Sequence, residues 1–165
     1  MQHPSRLTPA AGPAEGRILG LAAALILALG LIGAPPPARA ASATHLALSK
    51  PWIRAIMPGV PAAGYFTLFN NGDRAVALVA AASPACGKLM LHRSETVNGV
   101  ERMIMVMKVP VPAHGRVAFA PGGYHLMCMS PSAAVKPGAK VLVTLKFANG
   151  TTLGAEFPVR GPTGK

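Results

Sequence analysis

The chain has 165 residues, 51% of them hydrophobic, and 16 Lys and Arg against 5 Asp and Glu give a formal charge of +11. That length suits one ordinary domain with its own core, and so few carboxylates argue against an enzyme built on a carboxylate pair. The positive charge favours nucleic acid, an anionic membrane or an acidic partner.

The first forty residues read as an export signal rather than as part of the fold. Arg6 and Arg17 form a basic n-region, residues 18–32 are an uncharged apolar run of fifteen, and Ala38-Arg39-Ala40 offers a cleavage site before Ala41. The apolar run falls short of the about 20 residues of a membrane span. The n-region is long, so the alternative is retention as an N-terminal membrane anchor. No Arg-Arg pair marks the twin-arginine route, and no Cys follows the apolar run for lipid attachment. The expected location is the periplasm, where nucleic acid is not a partner. A single domain is expected over 41–160, followed by a short tail at 161–165. Residues 41–165 carry 13 basic and 4 acidic side chains, and the basic ones are scattered without a run. This reads as a solvated surface, with steering toward an acidic partner face as the sharper reading.

Past residue 41 the pattern predicts an all-β domain, a sandwich or barrel. Short β-branched or aromatic runs alternate with Gly, Pro, Asn and Asp clusters. Strands are predicted over 46–50, 63–69, 74–81, 88–97, 100–108, 116–120, 124–129, 140–147 and 151–158. Asn70-Asn71-Gly72-Asp73, Asn98-Gly99 and Asn149-Gly150 are turn signals, and Asn-Gly suits a two-residue type I′ hairpin. Pro110, Pro112, Pro121, Pro131 and Pro137 are expected between the strands, where a missing N–H does no harm.

With Asn98-Gly99 at the turn, Val97 faces Val100, so His92 faces Met105, Ser94 faces Met103 and Met90 faces Met107. Opposed residues share a face, as do residues two apart along a strand. One face then presents Met90, His92, Met103, Met105 and Met107. The other presents Leu89, Leu91, Ile104 and Val106, the composition of a core face. His92 and Met103 become diagonal neighbours, within about 7–8 Å at the backbone. A one-residue slip would put them on opposite faces. Farther along, an extended Tyr124-His125-Leu126-Met127-Cys128-Met129 puts His125, Met127 and Met129 on one side and Leu126 and Cys128 on the other. Pro121-Gly122-Gly123 makes a tight turn that can aim this segment at the hairpin.

Thioether and imidazole together favour Cu(I), whereas carboxylate and water favour magnesium, calcium or manganese. Against this stands the ordinary role of Met as a core filler, and seven of the chain's eight Met fall between residues 57 and 129. His45 and His114 read as surface or hydrogen-bonded residues. The residues alone leave metal binding and plain packing both open.

The spacing His92-x10-Met103-x21-His125-x-Met127 resembles the signature of the periplasmic copper chaperones of PCu(A)C type. The strings PWIRAIMPGVPAAGYFTLFNNGD, SPACGKLMLHRSETVNGVERM, PGGYHLMCM and the closing EFPVR resemble that family too. The resemblance covers residues 48–160. It implies a cupredoxin-like β-sandwich, or Greek-key barrel, that is a monomer and not an enzyme. It implies one Cu(I) per monomer, held by His92, Met103, His125 and Met127. It also implies delivery of copper for the dinuclear centre of cytochrome c oxidase, with oxidase subunit II or a Sco-type protein as the receiving partner. Met90, Met105, Met107 and Met129 lie outside the signature and are at most auxiliary ligands. The chain ends at GPTGK without the His/Met-rich tail of some relatives.

Cys86 and Cys128 stand where the resemblance leads one to expect small or aliphatic residues. An even count in an exported domain suits a disulfide, but neither spacing demands pairing, and two free, buried thiols are the reading favoured here. Two other functions compete with the chaperone. One is a blue-copper-like electron carrier, which needs a His2Cys site with a weak axial Met, although no His follows Cys128. The other is a metal-free periplasmic binding module on the same sandwich.

Overall fold

Alternating burial organises everything visible in the fold. The structure is a computed structural model that describes residues 45–164, so the expected signal over 1–40 lies outside the described residues. Ten strands follow in order: β1 (Leu46–Arg54), β2 (Ala62–Asn70), β3 (Val76–Ala82), β4 (Cys86–Val97), β5 (Val100–Met105), β6 (Val109–Val111), β7 (Gly115–Phe119), β8 (Tyr124–Pro131), β9 (Lys140–Phe147) and β10 (Thr152–Arg160). Among the described residues there is no helix.

The strands are hydrogen-bonded in the order β5-β4-β8-β7-β2-β1-β10-β9-β3-β6, with β8 also pairing β2. Pairing is antiparallel except between β1 and β10 and between β7 and β8. The β10-β9-β3-β6 arm folds over the remainder as a sandwich around one core. Phe66, Phe119 and Leu126 from one side meet Leu78, Val143, Leu145 and Phe157 there. Phe66 stacks on Phe119 at 4.3 Å and meets Phe157 edge-on at 5.7 Å.

The Asn98-Gly99 hairpin forms in the predicted register, with Val97 opposite Val100, Ser94 opposite Met103 and His92 opposite Met105. Both turn residues have positive φ, 52° and 76°, as a type I′ turn requires. Leu89 and Leu91 enter the core, but Ile104 is exposed and Val106 only half-buried, because β5 is the edge strand of the sheet and is exposed along its whole length. Strand β5 stops at Met105, so the expected Met90–Met107 pair does not form. Asn149-Gly150 closes a three-residue loop instead of a two-residue one. Phe147 N–H donates to Thr151 O, only Gly150 has positive φ, and Asn149 Oδ1 accepts from Thr151 N–H.

Three differences from the predicted strands come from proline. The Val109-Pro110-Val111 segment is a strand, not a connector. It pairs with β3 at the sheet's edge, where Pro110 lacks nothing on its open side. Strand β1 does not end at Lys50 but continues through a bulge at Lys50-Pro51, with Lys50 at φ 51°. The bulge resets the alternation. Before it Leu46 and Leu48 pack against the core; beyond it Ile53 does, and Trp52 and Arg54 take the outer face. Pro131 likewise closes β8 rather than lying outside it.

Cys86 and Cys128 are not free: they form a disulfide between β4 and β8, 5.4 Å apart at Cα. Cys128 does point inward as expected, being buried in the core. The linear spacing hid this pairing because only the β4–β8 ladder brings residues 42 apart into contact.

Candidate metal centre

The outer face of β5, β4 and β8 is set by two turns. Across β4 and β8, His92 pairs with His125, Met90 with Met127 and Lys88 with Met129. Across β4 and β5, His92 pairs with Met105 and Ser94 with Met103. His92 is therefore flanked directly by His125 and Met105, and diagonally by Met127 and Met103. The inner face of the same ladder, Leu89, Leu91, Leu126 and Cys128, is core.

The turn before β8 holds His125 in place. Gly123 N–H donates to Ala120 O at 3.0 Å, with Pro121 second and Gly122 third at φ 79°, the pattern of a type II turn. Gly123 O then accepts twice, from Ser94 N–H and from His125 Nδ1, both at 3.1 Å. A carbonyl can only accept, so Nδ1 carries the proton and Nε2 keeps its lone pair. His125 is 4% exposed, and its Nε2 is buried without a hydrogen-bond partner. The His92 ring meets it edge-on at 5.8 Å, and His92 Nδ1 is also buried and unpartnered. Burial lowers the His92 pKa below the usual histidine value, and the neighbouring His125 charge lowers it further.

A cleft of about 380 Å³ opens onto this place. Met103, His125 and Met127 line it, together with Arg54, Tyr65, Ser94 and Glu101. His92 is not among the lining residues and meets the site through the His125 ring. Met127 is half-buried and Met103 is 62% exposed, so one thioether is partly covered and the other is accessible. Met105 and Met107, 58% and 74% exposed, do not line the cleft, nor do Met90 and Met129. The structure thus brings Met103, His125 and Met127 to one cleft, sets His92 against the His125 ring, and leaves Met90, Met105 and Met129 on the same outer face.

Two unpartnered buried imidazole nitrogens are costly unless something occupies them. A soft cation accepting their lone pairs, with thioether sulfur completing its shell, fits this donor set. Among the described residues no three His, Cys, Asp or Glu side chains gather.

Sequence reasoning missed Arg54 and Tyr65 on the β1–β2 wall. The signal for Arg54 was Pro51, whose bulge turns it to the outer face, and for Tyr65 the alternation of β2 around the core residues Phe66 and Leu68. Burial raises the Tyr65 pKa, and the nearby Arg54 charge opposes the rise. His114 and His45 are exposed surface residues, His114 paired with Asp73 at 2.9 Å.

What these features define is an all-β sandwich with a soft-donor cleft on its outer face. The chain belongs to the LpqE-like family, whose profile matches residues 46–159. It is 36% identical over 118 residues to "Putative lipoprotein Lxx21020" of Leifsonia xyli subsp. xyli (strain CTCB07), spanning 71% of this chain and 70% of that one. It is 28% identical over 88 residues to "Uncharacterized protein RP573" of Rickettsia prowazekii (strain Madrid E), spanning 53% and 49%. Among solved structures it is similar to the copper-bound PCuAC domain from PmoF2, with TM-score 0.60 and 24% identity over 72% of this chain and 94% of that one. It is also similar to CuI-DR1885 from Deinococcus radiodurans, with TM-score 0.53 and 31% identity over 70% and 76%. The fold is the cupredoxin-like β-fold of PCuAC domains.

Proposed function

We propose that this protein is a copper chaperone that binds one Cu(I) through His125 Nε2, an imidazole nitrogen of His92, and the sulfurs of Met127 and Met103. The observation that carries this reading is His125. Its proton is held on Nδ1 by Gly123 O, and its Nε2 is left buried, unpartnered and on the wall of a cleft shared with two thioethers. The similarity to a Cu(I)-bound structure at 31% identity supports the same choice of metal. Imidazole and thioether suit Cu(I) and give Cu(II) little of the hard donation it prefers.

The role extends to delivery. An exported protein in the periplasm, released from its signal peptide, carries copper toward assembly of the dinuclear centre of cytochrome c oxidase, to subunit II or a Sco-type partner. It works as a monomer and catalyses no reaction. Three of the four carboxylates among the described residues sit in ion pairs, Asp73 with His114, Glu95 with Arg93 and Glu156 with Lys140, leaving no acid pair for catalysis. The disulfide argues against a blue-copper carrier, because it leaves neither cysteine as a thiolate ligand.

The test is an anaerobic titration of the domain with Cu(I) against a competing chelator, for wild type and His92→Ala. One tight, colourless equivalent that is lost in the variant is expected. Intense blue colour, or equal retention by both proteins, would defeat the assignment.

A further inference from the structure

The cleft over Met103, His125 and Met127 has a second wall that metal binding does not use. Arg54, Ala63, Met127 and Met90 fall in one register row across β1, β2, β8 and β4. Neighbouring strands lie about 4.8 Å apart, so Arg54 and Met127 are about 10 Å apart at the backbone. Only the Ala63 methyl stands between them in that row. A large residue at 63 would close the gap; alanine leaves it open.

Arg54 is held in place without being neutralised. Its guanidinium carbon lies 5.6 Å from the Tyr65 ring centroid, and Tyr65 in turn packs on Trp52 at 4.9 Å. Tyr65 is 4% exposed yet takes no part in the core cluster, because this outer stack covers it. Arg54 Nε is buried and has no acceptor, and among the described residues no carboxylate pairs with Arg54. The one acid on the cleft wall, Glu101, comes from β5, which also carries Met103. An oriented guanidinium with a desolvated, unpaired N–H is half of an anion site. Its planar edge matches a carboxylate, and Glu101 in the same cleft disfavours a more highly charged phosphate.

We propose that this wall receives a carboxylate carried by the molecule that takes the copper, and that Arg54 anchors it while copper changes hands beside it. The inference rests on the copper-chaperone reading. In the exchange, a lone pair on the acceptor's donor atom bonds to Cu(I) as the exposed Met103 thioether lets go. The copper stays Cu(I), and no electron is transferred. The carboxylate stays on Arg54 and is not a ligand.

The experiment loads the protein with one Cu(I) and follows transfer by stopped-flow absorbance to two chelators of the same diimine type. Bicinchoninate carries carboxylates, and neocuproine is neutral. Arg54→Gln should slow transfer to bicinchoninate by about tenfold at low ionic strength, less as salt rises, and leave neocuproine within about twofold. Arg54→Lys should recover only part of the rate, since it restores the charge but not the planar edge stacked on Tyr65. Arg160→Gln removes an equal charge from Arg160, which lies over Trp52 and does not line the cleft, and should change neither rate. A second arm uses a Cys-containing peptide with Asp beside the Cys and its Asn counterpart. Arg54-dependent preference for both bicinchoninate and the Asp peptide supports a site open to a protein segment, and preference for bicinchoninate alone supports a small-molecule acceptor. Equal slowing of both chelators, or slowing by Arg160→Gln as well, overturns the anchor. Failure of the wild type to load copper overturns the chaperone reading and this inference with it, whereas a loaded protein with charge-blind transfer overturns this inference alone.

Discussion

At the scale of single residues, alternation along β8 separates binding from stability. His125 and Met127 line the cleft, whereas Leu126 between them is fully buried in the core. His125→Ala and Met127→Ala should each let a competing chelator strip Cu(I), and Met127→Ala should do so with little change in the unfolding midpoint of the apo protein. Leu126→Ala should cost about 2–5 kcal/mol of folding free energy and keep near-normal copper affinity in the folded fraction. Chelator competition and denaturant unfolding on the same three variants check this, and Leu126→Ala losing copper while staying stable would contradict the alternation. If Met127→Ala keeps its copper, the Met127→Ala, Met129→Ala double variant shows whether Met129 substitutes, since Met129 lies two residues along the same face. His92 adds a pH dependence. Its folded pKa is lowered, so the unfolded chain binds the proton more readily than the folded one. Stability of the apo protein from this group is therefore full above the ordinary histidine pKa of about 6.5 and declines as pH falls through the folded value. His92→Gln should flatten that acid-side slope of the unfolding midpoint.

At the scale of elements, the ladder joining β4 and β8 carries both the site and the disulfide. Cross-linking residues 42 apart restricts the unfolded chain, so Cys86→Ala with Cys128→Ala should lower stability by about 2–4 kcal/mol. Copper stoichiometry should stay at one, because the pairs from Met90–Met127 to Arg93–Tyr124 do not need the bond. Guanidinium unfolding and a Cu(I) titration of the double variant test both halves. How far these elements were legible in the sequence depends on how local their causes are. The β4–β5 register followed from Asn98-Gly99, since a type I′ turn fixes pairing within a few residues, and so the shared face of His92 and Met103 was readable. The disulfide, the edge strand around Pro110 and the outward turn of Arg54 were not. Each depends on which distant strand lies alongside, or on a bulge that shifts the alternation by one. Pro110 was expected between strands and the first strand was expected to end at Lys50, just before Pro51, whereas an edge and a bulge each accommodate proline.

At the scale of the whole molecule, the core and the site are on opposite faces of the same strands, which decides how copper couples to folding. The core closes around Phe66, Phe119, Phe157 and the aliphatic residues of β3 and β9, and none of the four motif residues belongs to it. His125 is buried, but by the turn at Gly123 and the neighbouring strands, and its ring is already oriented by a backbone carbonyl. The ligands therefore do not have to be gathered by the metal, in contrast to small zinc domains that are unfolded without it. Apo protein should be folded and β-rich by circular dichroism. Copper should then stabilise it only through mass action, by about 2.7 kcal/mol when free Cu(I) is a hundredfold above its dissociation constant. A plot of unfolding free energy against the logarithm of free Cu(I) should rise with the slope of a single site. Twice that slope would indicate a second copper on Met105, Met107 or Met129, and an apo domain without β structure would show that the cleft is assembled by the metal rather than offered to it.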